Sequence, residues 1–126
     1  MLSIAKRSSQ HPDAAAVLSK AVTNAAERLS VSQTSLAKIL GLSPATISRM
    51  TAGRYQLDQQ SKSWEFALIF VRIFRSLDSI VGNEVSARRW INGENLGLGG
   101  RPIELMTQTE GLVRVAHYLD ASRGTV

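Results

Sequence analysis

Residues Ser63 to Val81 read as one long helix with apolar side chains on nearly every face. Its polar edge is a narrow strip through Glu65, Arg72, Arg75, Ser76 and Ser79. A helix this apolar cannot lie on a surface and has to be covered on more than one side. The pattern therefore predicts a central strut, packed on the helices before it and on either the C-terminal segment or a second subunit. Glu65, Arg72, Arg75 and Asp78 interrupt the stretch, so it is not a simple membrane span. Both tryptophans and all three phenylalanines fall between Trp64 and Trp90, which places the bulkiest core pieces mid-chain.

With 126 residues, 44% of them hydrophobic, the chain can build one domain or two very small ones packed together. Residues 1–12 read as a flexible lead-in. A helix is expected from Asp13 to Leu29, opened by Pro12 and Asp13, with an apolar stripe of Val17, Leu18, Ala21, Val22, Ala25 and Leu29. Ser32 suits the N-cap of a helix from Gln33 to Leu40, which Gly41 stops in the left-handed conformation. Ser43-Pro44 is a cap followed by a first-turn proline, and it opens another short helix reaching about Thr51. Arg54 to Lys62 is polar and reads as a loop or a short turn. After the long helix, Gly82 and Asn83 precede a helix from Glu84 to Ile91, then a loop from Asn92 to Arg101 carrying four glycines. Pro102 opens a short helix, and Thr107 or Thr109 caps the last one, which reaches about Ser122. No repeat and no alternating strand pattern occurs, so the fold class expected is all-α.

The segment Gln33 to Met50 (QTSLAKILGLSPATISRM) resembles the helix-turn-helix of the Cro/phage-repressor class. Leu36, Ala37 and Leu40 face inward on its first helix, Gly41 permits the sharp turn, and Leu42 plugs the corner. Ile47 and Met50 bury the inner face of the second helix, leaving Ala45, Ser48, Arg49 and Ala52 outward, with Pro44 and Thr46 on the flanks. A short helix presenting small residues and one arginine suits the major groove, about 12 Å wide. Arg49 is the candidate for guanine, Ala45, Thr46 and Ser48 lie on the base-facing side, and Gln33, Thr34 and Ser43 sit at helix starts where phosphates bind. Lys38, Arg54 and Tyr55 are further phosphate candidates. A plain αα-hairpin would use the same glycine and the same apolar spacing. The turn glycine Gly41, the capped Ser43-Pro44, the small Ala37 and the charge together favour the helix-turn-helix: residues 1–62 carry eight Lys and Arg against three carboxylates, whereas residues 63–126 carry seven against seven. The whole excess of +5 lies in the half that would meet a polyanion.

Catalytic chemistry is not indicated. Cysteine is absent, which excludes a disulfide scaffold, thiol catalysis and a Cys-rich zinc site, and fits a reducing cytoplasm. His11 and His117 are isolated, so no metal site is expected. Glu94 and Glu104 flank a glycine loop that lacks the pattern of a phosphate cradle. Lys6 and Arg7 lead into Ser8-Ser9-Gln10-His11-Pro12 and not into an apolar run, so no secretory signal is expected. The reading is a cytoplasmic protein that is not an enzyme, with no cofactor and no small-molecule substrate.

Ala87 to Leu119, with Trp90, Asn95, Leu96, Gly99, Gly100, Pro102, Leu105, Thr107 and Gly111, resembles the C-terminal toxin-binding domain of the Xre/MbcA/ParS antitoxins. It departs from that pattern at Gly93-Glu94, where a Pro-Asn type turn is expected. With the helix-turn-helix in front, the resemblance covers roughly residues 15–124. It implies a helix-turn-helix domain over residues 13–62, and a central helix with a toxin-binding domain over 63–126. It also implies a RES-class toxin partner, similar in fold to ADP-ribosyltransferases, that destroys NAD. The resemblance further implies that the last helix and tail lie against the toxin's active-site cleft, and that the antitoxin, as a homodimer on operator DNA, represses its own operon. Trp90, Leu96, Gly99, Gly100, Pro102, Leu105 and Gly111 are assigned to shaping the fold. Toxin contact is assigned to Arg114, His117, Tyr118, Asp120, Ala121, Ser122, Arg123, Gly124, Thr125 and Val126, with Arg123 pairing an acidic group in the cleft. Two alternatives stay open: a stand-alone dimeric repressor with a C-terminal dimerisation or sensing domain, and a polar-localisation or membrane-complex adaptor that keeps the fold without the toxin.

Overall fold

The structure is a computed structural model and describes residues 13–124. The expected lead-in with His11, and Thr125 and Val126 of the tail, lie outside the described residues. Seven helices are present among those described: α1 Ala14–Arg28, α2 Gln33–Leu40, α3 Pro44–Thr51, α4 Lys62–Val81, α5 Glu84–Asn92, α6 Pro102–Leu105 and α7 Thr109–Gly124. They contain no strand, only an isolated bridge between Asn95 and Gly100. The fold is all-α.

Most helix starts are written locally. Ser32, Ser43, Ser61 and Asn83 each accept from the backbone N–H three residues on, and Asp13 from the N–H two residues on. Each bond satisfies one of the donors that a helix start leaves orphaned. Ser61 is the reason α4 begins at Lys62, one residue before the expected Ser63. Gly41 and Gly82, at φ +71° and +77°, close α2 and α4 in the left-handed conformation that a side chain would strain. Neither threonine caps α7. Thr107 donates its hydroxyl to the Glu104 carbonyl at 2.7 Å, and Thr109 is already the first helical residue. The Gln108 carbonyl accepts the first intrahelical bond, from Leu112 N–H.

α4 is the strut of the molecule. α1 and α2 pack on it from the N-terminal half and α7 runs against it from the C-terminal half. The second cover is therefore the chain's own last helix. Ala67, Phe70, Ile73 and Leu77 are completely buried, and one apolar core runs without a break from Leu18 to Leu119. Two assignments of face are corrected by this packing. Ser76, expected on the polar strip, is only 1% exposed because α7 crosses there; its hydroxyl oxygen accepts from Arg123 at 3.2 Å. Leu68 stands at the solvent edge in its place, about half exposed.

A similar correction falls on α1. Val17, expected in the apolar stripe, is 54% exposed, while Ser19 and Ala26 are buried. Ser19 is buried because the segment after α3 returns to it. Leu57 N–H donates to Ser19 Oγ at 2.9 Å, and the Leu57 side chain enters the core. The polar stretch between α3 and α4 is thus stitched to α1 by one apolar residue and one hydrogen bond.

Candidate functional site

Two surfaces meet the requirements set out by the sequence. The first is built on α3, which packs on α2 and α1. Ile47 and Met50 are buried beneath it, with Leu36, Ala37 and Leu40 of α2 buried alongside. The outer face then carries Ala45, Ser48, Arg49 and Ala52, all exposed, as the spacing predicted. A hydroxyl chain organises this face. Ser43 Oγ accepts from Thr46 N–H at 3.1 Å and lies 2.9 Å from Thr46 Oγ1, which in turn accepts from the Arg49 guanidinium at 3.1 Å. These three residues recur at a spacing of three, so they share one edge of the helix. The arginine is therefore held along its own helix before any ligand arrives, which lowers the entropy lost when it engages a partner.

Around α3 lie the other candidates for this surface. Gln33 and Thr34 are exposed at the start of α2, immediately after the Ser32 cap, and Lys38 is exposed on the same helix. Arg54 is exposed beyond α3, and Tyr55 is half-buried against the core. Lys38, Arg49 and Arg54 are all at solvent, and none of them forms an ion pair among the described residues.

The second surface is the outer face of α7. Val115, Ala116 and Leu119 point into the core, and the opposite stripe of Arg114, His117 and Ala121 is exposed. Several of the residues assigned to a partner are engaged within the chain. Arg114 donates to the Leu98 carbonyl at 2.9 Å, Asp120 forms an ion pair with Arg72 of α4, and Arg123 donates to Ser76. Ser122 donates its hydroxyl to the Tyr118 carbonyl at 3.0 Å. Tyr118 stacks obliquely on Trp90, with ring centroids 6.2 Å apart. Gly124 ends the helix, and Val126 lies outside the described residues.

The glycine loop behind α7 has a tight internal architecture. Asn95 N–H donates to the Gly100 carbonyl at 3.0 Å, the Asn95 carbonyl accepts from Gly99 and Gly100, and its side-chain oxygen accepts from Leu98 N–H. Gly97 passes so close to Tyr118 that a Cβ there would stand 2.9 Å from the ring. At Gly111 a Cβ would collide with the Leu105 carbonyl, so the start of α7 can lie on the end of α6 only with glycine at that position. Pro102 is buried and opens α6 as expected. One member of the set assigned to the fold is corrected: Leu96 contributes no packing and is fully exposed (101%), while Leu98, unassigned from the sequence, is the residue that enters the core. Sequence reasoning missed Leu96 as a surface residue because two leucines on a loop follow no helical or strand period.

Among the described residues no group of His, Asp and Glu is arranged to hold a metal ion. None of their helices is long and apolar enough to cross a membrane.

Comparison with known proteins divides the chain into two matched regions. Residues 9–72 match the antitoxin Xre-like helix-turn-helix domain, and residues 76–124 match the antitoxin Xre/MbcA/ParS C-terminal toxin-binding domain. The boundary between the two matches falls inside α4, the helix that both halves share. Among solved structures, the chain is similar to one in the crystal structure of the M. tuberculosis MbcT–MbcA toxin–antitoxin complex. The TM-score is 0.64 at 25% identity, over 87% of this chain and 97% of that one. Among curated proteins none matches.

Proposed function

This chain belongs to the antitoxin Xre-like helix-turn-helix family, and we propose that it neutralises a RES-class, NAD-degrading toxin and represses its own operon. It is the antitoxin of a toxin–antitoxin system, with a helix-turn-helix and a toxin-binding domain. The observation that carries this proposal is the pairing of two exposed faces on one core: α3 with Arg49 outward, and α7 with His117 and Ala121 outward.

On DNA, α3 enters the major groove with Ala45, Thr46, Ser48 and Arg49 toward the bases, and Arg49 reaches a guanine edge. Gln33 and Thr34 at the start of α2, with Ser43, Lys38 and Arg54, hold the phosphates and set the register. One such module reads one half-site, so the operator-bound form is a homodimer. On the toxin, the outer face of α7 and the tail from Ser122 to Val126 lie at the mouth of the NAD cleft and deny entry to the dinucleotide. Arg123 supplies a cation for an acidic group there. The protein works in the cytoplasm, where both operator and NAD are found.

The test is co-purification with the product of the neighbouring gene, followed by NAD consumption with and without the tail. The tail variant must end at Ala121, since removal from Arg114 onward would also take Val115, Ala116 and Leu119 out of the core. The expected result is tight capture by both forms but blocked NAD loss only with the full chain. Equal inhibition by the trimmed chain would move the inhibitory contact to the domain body. A neighbour that binds nothing overturns the RES reading.

A further inference from the structure

Leu96 is the most exposed of the large apolar side chains among the described residues, and it is presented by a loop that is internally bonded and clamped to α7. Asn95 ties the loop into a closed turn through its own backbone and side chain, as described above. The residues on the far side of Leu96 are clamped to α7: Gly97 is seated against Tyr118, and Leu98 is buried with its carbonyl taken by Arg114. The loop backbone is therefore held by contacts on both sides of a residue that makes none.

A leucine in that position leaves its apolar surface in water and gains nothing from folding. Apolar side chains held out by a rigid frame are what interface anchors look like, because little entropy remains to be lost when they enter a pocket. The frame also says where the partner lies. Tyr118 and Arg114, the two residues that grip the loop, belong to α7, whose neighbouring stripe of His117 and Ala121 is open to solvent. The loop that carries Leu96 is thus fastened to the helix that carries this stripe, and both fall within the match to the toxin-binding domain.

Resting on the toxin-neutralising reading above, we propose that Leu96 is an apolar anchor that inserts into a pocket on the toxin, apart from the contact made by the tail. It supplies affinity, while the tail supplies closure of the cleft. The two roles are separable, because Leu96 sits on the α5–α6 loop and the tail follows α7.

The test titrates the RES-domain protein encoded beside this chain with full-length wild type, Leu96→Asp and Leu96→Met, and records thermal unfolding of each. Because the Leu96 side chain packs on nothing, all three are expected to unfold at the same temperature. Leu96→Asp should weaken toxin binding at least about tenfold, and Leu96→Met, which keeps an apolar anchor, should stay within about threefold of wild type. Wild-type affinity in Leu96→Asp overturns the anchor and leaves the antitoxin reading intact. If the wild type itself does not bind the RES protein, the underlying reading fails and the anchor with it. If Leu96→Asp instead dissociates a dimer of this chain in sedimentation while toxin affinity is unchanged, the pocket belongs to a second copy and the proposal is wrong.

Discussion

The Nε of Arg88 donates a 2.9 Å hydrogen bond to the carbonyl of Arg28, joining the helix after the central strut to the last residue of α1. That carbonyl is one of the acceptors a helix end leaves without an internal partner. Glu84, one turn earlier on α5, lies 3.9 Å from the same guanidinium and steadies it. A residue of the toxin-binding half thus caps a helix of the DNA-binding half.

Replacing Arg88 with methionine keeps the aliphatic stem and removes the donor. Stability should fall by about 1 kcal/mol, the usual worth of such a bond. The expected drop in Tm is roughly 3–7 °C for a chain of this size, read by circular dichroism. An unchanged Tm would show that water replaces the guanidinium at no cost.

Gly111→Ala should be far more damaging than its single methyl suggests. The added carbon falls on the Leu105 carbonyl, a backbone atom that cannot swing aside, so α6 and α7 must separate. A loss of at least about 3 kcal/mol is expected, beyond ordinary overpacking. Urea titration measures it, and a midpoint near that of wild type would mean the α6–α7 junction yields easily.

Ser19→Ala removes the acceptor for a buried backbone donor. Leu57 N–H would be left without a partner in the core, costing about 1–3 kcal/mol. Amide exchange at Leu57 should accelerate well beyond the change in global stability. Retained protection at that amide would show that another acceptor moves in.

Arg49→Ala tests the proposed DNA contact of α3 without touching the core, since the side chain is exposed. Affinity for the chain's own promoter should fall by about 1–3 kcal/mol, with weaker preference for the cognate sequence and an unchanged Tm. Lys38→Ala should instead weaken all sequences alike and flatten the salt dependence. Both are read by mobility shift at several salt concentrations. Loss of affinity without loss of preference in Arg49→Ala would make it a phosphate contact.

The helix starts and stops were legible because their causes lie within a few residues. Ser32, Ser43 and Gly41 act on backbone groups no more than four positions away, and the apolar spacing of Leu36, Leu40, Ile47 and Met50 states which side of each short helix turns inward. The outer face of α3 follows from that spacing alone. For α7 the sequence did not separate His117, which is exposed, from Arg114, which donates to the Leu98 carbonyl, or from Asp120 and Arg123, which lean back onto α4.

What the sequence determined by itself was therefore local: seven helices, the Ser32 and Ser43 caps with the Gly41 stop, and the inner and outer sides of the helix-turn-helix. The tertiary structure alone decided the fate of residues whose surroundings come from far along the chain. Ser76 is buried by Arg123, 47 residues away, and Ser19 by Leu57, 38 residues away. Leu96 and Leu98 are the same residue two positions apart; only the closure of the loop on Asn95 and its clamp to α7 turn one into the core and the other to water. Periodicity follows from the geometry of a single element, whereas burial depends on which other element arrives, and that is settled only when the whole core closes.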